Sequence, residues 1–484
     1  MLKELKNQAG RTRTENGAAT LRTTGSDCLD LFAAAGALRS AGEQEIIDLF
    51  TRAWAENPNL AMKTLFYCRD IRGGLGERRV FRILLRHLAD THPASVRKNL
   101  RLISEYGRWD DLLALYGTRC AGDARELIRE QFLKDMEALG QGGEVSLLAK
   151  WLPSVNTSNN EAVRLGKQTA RALGMTDAEY RKALSRLRAK IRILENSLRE
   201  KDYTFDYAAQ PSRAMLRYRK AFERNDGERY NAFLDRVVRG EAALHTGTLY
   251  PYDIVRQALD FRGSETERKT LEASWNALED FAPPGNALCV VDGSGSMYWQ
   301  GNPLPAAVAL SLGIYFAERC KGEFRNHFIT FSHNPQLVEI KGNDLVDKVA
   351  YCATYDECAN TDIGKVFELI LMTAVRNRLP QKALPKTLYI ISDMEFDCAE
   401  NADATSFEHA KRLFRRFGYR LPQVVFWNVQ SRNRQQPVRM NEQGVVLVSG
   451  CTPRIFSLVA GGQFDPAGMM RKILLSERYA PVCA

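Results

Sequence analysis

Short catalytic signatures are missing from this chain of 484 residues. It contains no GxxxxGKS nucleotide loop, no GxSxG elbow and no HExxH pair. The commonest nucleotide, esterase and metalloprotease chemistries therefore lack their residues. Histidine is scarce, six in all, and His327 and His333 flank one expected strand end without the partners of a triad. No catalytic residue is assigned, and an enzyme is not the expected reading. The ten cysteines never pair as CxxC, which argues against a zinc site. Cys68, Cys289 and Cys320 fall in apolar runs, as the buried reduced thiols of a cytosolic protein do. No run approaches the roughly 18 apolar residues that cross a membrane. The expected location is cytoplasmic. The first residues, MLKELKNQAGRTRTENGAAT, have no apolar core like that of a signal peptide. Residues 1–22 are expected to be a flexible basic arm.

What is present is a globular composition, 45% apolar and 26% charged, in a chain long enough for about two to four domains. Its net charge is +10, and the excess is concentrated. Residues 161–240 hold 19 Lys and Arg against 11 Asp and Glu, a surplus of 8. A local surplus of that size is the electrostatic footprint of a protein that meets phosphates. A salt-bridged, solvated helix carries the same surplus.

The central stretch is DGSGSM, Asp292 to Met297. The apolar run Ala287–Val291 reads as a buried parallel strand that ends at Asp292. Gly293 and Gly295 permit a sharp turn, so Asp292, Ser294 and Ser296 present oxygens in alternation at a strand's carboxyl end. Ligands of open α/β sheets sit at that edge, and alternate oxygen donors suit a hard cation such as Mg²⁺. A plain strand-to-helix turn, with a serine capping the next helix, has the same residues. Two further sites bear on the choice. Asn360–Gly364 leads into an amphipathic helix, and Leu388–Ser392 is a second buried strand, followed by Asp393. DxSxS, then Thr361, then Asp393 after a strand together resemble the metal-ion-dependent adhesion site of von Willebrand factor A domains. The resemblance implies one divalent cation held by Asp292, Ser294, Ser296, Thr361 and Asp393, some through water. Glu395 and Asp397 follow in DMEFD, either in the outer shell of the metal or solvating the loop.

From Ser26 to about Tyr116 the pattern is one amphipathic helix after another, without strand-like alternation and without a strict repeat. Antiparallel pairs stacked as an irregular solenoid are expected. Two loops interrupt them. RDIRGGLGERR, Arg69 to Arg79, reads either as a helix–helix turn or as a loop contacting phosphate. YGRWDDLL, Tyr106 to Leu113, places Asp110 and Asp111 in the first turn of a helix. After the polar loop Trp151–Asn160, a basic helix is expected over Tyr180–Arg199, with Arg181, Lys182, Arg186, Arg188 and Arg192 around a Leu184, Leu187, Ile191 and Leu194 stripe. Arg213, Arg217 and Lys220 form a second cluster beside Tyr218. Cations with aromatics suit nucleic acid.

From Gly285 onward, strands at 287–291, 327–332, 388–392, 424–429 and 444–448 alternate with helices near 303–320, 344–352, 362–377, 405–417 and 466–476. A doubly wound parallel sheet is expected, with its boundary at Pro283-Pro284-Gly285. The full pattern resembles the Ro ribonucleoprotein architecture, a helical TROVE ring followed by a von Willebrand A domain. The strings DCLDLF, RDIRGGLGER, YGRWDDLL, SRLRAKIRILE, LVSG and SDMEFD are similar to an uncharacterised family of that architecture found in plants, fungi, viruses and bacteria. The resemblance implies a HEAT-like helical domain over 23–284 and an A-type domain over 285–484. It also implies RNA, small and structured or misfolded, as a partner of the helical part, and a protein partner at the metal. The alternative is a metal-dependent protein-binding adaptor without RNA.

Overall fold

The apolar runs of the C-terminal third are continuous because their strands are covered on both faces. A computed structural model of the chain describes residues 1, 10–191, 193–247, 249–298, 301–332, 334–355, 362–397, 405–460 and 465–484. Thr361 and Arg192 lie outside the described residues. Short strands β1 (Arg11–Arg13) and β2 (Ala19–Leu21) pair antiparallel near the N-terminus. The main sheet comprises β3 (Ala287–Asp292), β4 (His327–Phe331), β5 (Leu337–Glu339), β6 (Thr387–Ser392), β7 (Gln423–Asn428) and β8 (Val445–Ser449). Their order is β5-β4-β3-β6-β7-β8, parallel throughout except for β5, which pairs antiparallel with β4 at the edge. Five strands lie within a residue or so of their expected bounds. The three-residue β5 is too short for alternation to reveal it.

One face of the sheet packs Leu288, Val290, Leu388, Ile390 and Phe426 against residues of the helices Ile363–Arg376 and Ser406–Arg416. On the other face lies the helix Pro305–Arg319, buried at every position from Pro305 to Ala317, as an apolar helix in the middle of a fold must be. A side chain at its Gly313 would overlap Val291 Cγ2, so glycine sets how closely the helix approaches β3. Phe316, Tyr389, Trp427 and Phe456 pack around one another there, with ring centroids 4.8–5.0 Å apart.

The chain divides into two compact units that differ from the expected boundaries at residues 22 and 284. The first comprises Met1–Thr64 with Thr246–Arg478, the second Leu65–His245 with Tyr479–Ala484. Side-chain contacts account for the difference. Gly36 N donates to Ser449 Oγ at 2.9 Å, which ties the segment after the helix Asp27–Ala34 to the end of β8. The helix Glu265–Asn276 joins the sheet unit through Arg268, paired with Asp344 and Asp347, and through Trp275, whose Nε1 donates to Glu318 at 2.6 Å. Nor are residues 10–22 a free arm. Leu21 and Gln436 exchange backbone hydrogen bonds of 3.0 and 2.7 Å, and Ala18 belongs to the core of the sheet unit.

The second unit is helical, and the expected helix over Tyr180–Arg199 is in fact two, Asp177–Ile191 and Leu194–Glu200, with Ile193 extended between them. The two loops singled out in sequence meet in this unit, where Arg69 of the first and Asp111 of the second join a buried ion-pair cluster, while Arg72, Arg78 and Arg79 of the first stay exposed. Asp111, fully buried, accepts from Arg69 Nε and Arg82 Nε at 2.7 Å each and from the Arg108 backbone at 3.0 Å. Gly107 lies so close that a Cβ there would stand 2.5 Å from Asp111 Oδ2. Asp70, also buried, receives the Tyr479 hydroxyl at 2.9 Å. Removing one partner of a buried pair leaves the other charge uncompensated, so Asp111→Ala should cost about 3–5 kcal/mol in urea unfolding. Asp110, whose side chain is 15% exposed and whose partner Arg82 keeps Asp111, should cost less than Asp111. Equal small losses at both positions would contradict the assignment.

Candidate functional site

Parallel pairing of β3 with β6 places Val291 opposite Ile391, so the residues that follow both strands emerge at the same end of the sheet. Asp292 terminates β3 and is 1% exposed; Asp393 follows β6 and is 3% exposed. Ser392 Oγ donates to Asp292 Oδ2 at 2.5 Å, and the backbone N–H of Ser294 donates to Asp292 Oδ1 at 2.9 Å. Ser294 and Ser296 touch through their hydroxyls at 3.0 Å. The short 3₁₀ turn Gly295–Tyr298 holds Ser296 there, anchored by the fully buried Met297. Four of the five expected metal ligands are thus brought to one strand-end cluster. The fifth, Thr361, directly precedes the N-cap residue Asp362 of the helix Ile363–Arg376 and lies outside the described residues.

The electrostatics of the cluster are unfavourable for two bare carboxylates. Burial pushes the Asp292 carboxyl up, to about 7, and the charge of Asp393 adds to the effect. Asp393 is raised as well, again mainly by burial, with Glu395 contributing, while Ser296, the Glu395 backbone and Arg432 oppose the shift. Asp393 Oδ1 accepts from the Glu395 backbone at 3.2 Å, but its buried Oδ2 has no hydrogen-bond partner. Among the described residues the cation beside that oxygen is Arg432, with Nη1 at 3.8 Å. A hard divalent cation prefers an all-oxygen donor set of this kind, and it would satisfy the orphaned oxygen and relieve the repulsion between the two acids. The residues present fit such an ion.

Sequence reasoning missed Ser392, Arg432 and Asn433. Ser392 is visible in SDMEFD once its neighbour is read as a ligand, whereas Arg432 and Asn433 sit in a loop with no periodicity. Glu395, expected either in the outer shell of the metal or solvating the loop, is buried, which excludes the second of these. It accepts from the Glu15 backbone at 2.9 Å and from Asn433 Nδ2 at 2.9 Å.

In the helical unit, the expected basic residues divide into two groups. Arg181, Lys182 and Arg186 are exposed on the helix Asp177–Ile191. Arg188 is not available in the same way. Its guanidinium donates to Ala149 O, Ser154 Oγ and Leu152 O at 2.7–2.9 Å and so holds the 149–154 segment in place. Arg213, Arg217 and Lys220 are exposed on the helix Ser212–Val238, with Arg217 5.4 Å from the Tyr218 ring centroid. A cavity of about 1330 Å³ opens in this unit, lined by five cations (Lys150, Arg181, Lys182, Arg188, Arg199) and three acids. All eight described cysteines are free and seven are buried, Cys68, Cys289 and Cys320 among them. No helix among the described residues is long and apolar enough to cross a membrane.

The carboxylate pair predicts an unusual response to mutation. In metal-free protein Asp292 holds its proton more tightly folded than unfolded. Its contribution to stability is therefore greatest in acid and falls as pH rises from the ordinary carboxylate range towards about 7. Asp292→Asn removes the charge and keeps the shape. In EDTA at pH 8 it should melt a few degrees above the wild type, with the gap closing by pH 5. Mg²⁺ should raise the melting temperature of the wild type alone. A variant that is less stable by the same amount at both pH values would refute this account of the site.

Comparison with known proteins places the chain among relatives. A model described as a domain of unknown function (DUF7788) matches residues 286–467. The chain is 29% identical to "Uncharacterized protein L728" of Acanthamoeba polyphaga mimivirus over 504 residues, covering 95% of this chain and 86% of the relative. Among solved structures, the Ro (RSR) protein of Deinococcus radiodurans superposes with a TM-score of 0.36 at 14% identity, covering 89% of this chain and 90% of that one. A superposition at that level carries no weight for function. A second model, described as a domain of unknown function (DUF2828), matches residues 14–126 and 123–281. With more than half of its length matched, the chain belongs to the DUF2828 family.

Proposed function

We propose that the protein binds RNA through its helical unit and holds a divalent cation, Mg²⁺ or a similar ion, at the carboxyl end of the sheet in its other unit. The observation that carries the RNA reading is the concentration of exposed cations, Arg181, Lys182 and Arg186, on one helix that lines the large cavity with Arg181 and Lys182. Arg217 beside Tyr218 adds the mixture of charge and ring that unpaired bases favour. The finer resemblances, a TROVE-like helical part and a von Willebrand A type metal site, belong to this reading. In it the protein is a ribonucleoprotein component rather than an enzyme.

At the sheet, Asp292, Ser294, Ser296 and Asp393, with Thr361, would hold the cation. Bound there, the ion would supply a Lewis-acidic charge for a carboxylate of a partner protein. The chain's own residues do the rest: the β3–β6 pairing aligns the acids, Ser392 orients Asp292, and burial excludes competing water. The orphaned Asp393 oxygen also favours a second reading, an adaptor that binds an acidic partner through the cation and does not use RNA.

Salt dependence separates the two. Each phosphate contact to a single strand contributes about 0.7 to the log–log slope of affinity against salt. For a mixed-sequence single-stranded RNA, replacing Arg181, Lys182 and Arg186 together by Glu should weaken binding at least about ten-fold and flatten the slope by up to about 2. EDTA should leave both quantities unchanged. Arg188 is left alone in this test because its loss would disturb the 149–154 segment. No RNA binding at low salt, or an unchanged slope in the triple variant, would end the RNA reading and leave the adaptor.

A further inference from the structure

The segment around residues 10–22 is attached to the same loops that carry the candidate cation site. Thr14 Oγ1 donates to Phe396 O at 2.5 Å, and Asn16 Nδ2 donates to Glu395 O at 2.8 Å. The Glu15 backbone N–H donates to Glu395 Oε2 at 2.9 Å. Gly17 and Asp397 form a bridge, so the segment runs along the residues directly after Asp393. The Glu15 side chain reaches the opposite loop. It pairs with Arg432 Nη2 at 2.7 Å and accepts from Asn433 Nδ2 at 3.1 Å.

Arg432 therefore faces two carboxylates at once. Glu15 is close, at 2.7 Å; Asp393 Oδ2 is distant, at 3.8 Å, and has no hydrogen-bond partner. A guanidinium and a divalent cation compete for the same carboxylate. Whatever draws Arg432 off Asp393 leaves that oxygen to the ion. We propose that Glu15 is a positioning residue of the cation site: it holds Arg432 away from Asp393, so that docking of the N-terminal segment and cation binding strengthen each other. The inference rests on the reading of Asp292 and Asp393 as cation ligands.

The charges support the direction of the coupling. Asp292, Asp393 and Glu395 are each at most 3% exposed, and among the described residues Glu15 and Arg432 pair beside them. With Glu15 removed, the carboxylate left within 4 Å of Arg432 among the described residues is Asp393. With the cation bound, positive charge beside Arg432 makes a docked Glu15 more favourable. Linkage requires these two effects to be equal in free energy.

Titration of the full chain with MgCl₂, followed calorimetrically, tests the proposal in four proteins. Glu15→Gln should weaken Mg²⁺ binding by about five-fold or more, within the usual range of coupling between sites. Arg432→Gln should not weaken it, because the competitor is gone, and Glu15→Gln added to that variant should have no further effect. Hydrogen exchange over residues 10–22 should slow on adding Mg²⁺ in the wild type and not in Arg432→Gln. An unchanged affinity in Glu15→Gln, or the same loss in both backgrounds, overturns the coupling while leaving the cation site standing. No Mg²⁺ binding by the wild type overturns the cation site and the coupling together.

Discussion

Two buried carboxylates at the ends of adjacent parallel strands are the constraint around which the sheet unit is built. Register alone brings them together: Val291 lies opposite Ile391, so Asp292 and Asp393 leave the sheet at one edge. Burial raises the energy of each charge, Asp393 adds to it for Asp292, and Glu395 adds to it for Asp393. The surrounding groups are arranged to meet that cost. Ser392 and the Ser294 backbone serve Asp292, the Glu395 backbone serves one oxygen of Asp393, and Arg432 stands off the other. What is left over is one buried oxygen without a hydrogen bond, which in the proposed reading a cation would complete.

The helical unit solves a similar problem in the opposite way. There the buried acid is Asp111, and the cations that balance it belong to the chain, Arg69 and Arg82. Arg69 looks in sequence like a candidate for an external anion, since it opens a glycine-rich, arginine-rich stretch; Arg82 follows in the next helix. The fold instead turns both inward onto Asp111, and Gly107 leaves the room for it, since a side chain there would crowd Asp111 Oδ2 and Arg69 Nε. The cations that remain exposed, Arg181, Lys182 and Arg186, lie on a helix whose other face is buried through Tyr180, Leu184 and Leu187. Internal and external positive charge are thus separated by local structure, not by residue type.

That separation explains what was legible in the sequence. The five longer strands of the main sheet and their intervening helices are readable because apolar runs and 3.6-residue periodicity are local properties. DGSGSM and SDMEFD are readable for the same reason, as strand-plus-loop patterns. Contacts between distant segments leave no such trace. Nothing in the string RTRTENGAATL announces that Leu21 pairs with Gln436, or that Glu15 meets Arg432. The Pro283-Pro284-Gly285 turn marks a real loop, and the two family models meet there. The compact units divide elsewhere, because the amphipathic helices before that turn bury their faces in the sheet unit through Arg268 and Trp275. Arg188 shows the same limit at a single residue: its charge is legible, its three hydrogen bonds are not.

The central claim is that the two acids share a cation rather than a proton. Crystals grown with Mn²⁺ in place of Mg²⁺, measured for anomalous scattering near the manganese edge, test it most directly. The account predicts one peak at the end of β3 and β6, within bonding distance of Asp292 and the free oxygen of Asp393, with Ser294 and Ser296 completing the shell. A map without a peak there, with the two carboxylates drawn together as a protonated pair, would contradict it.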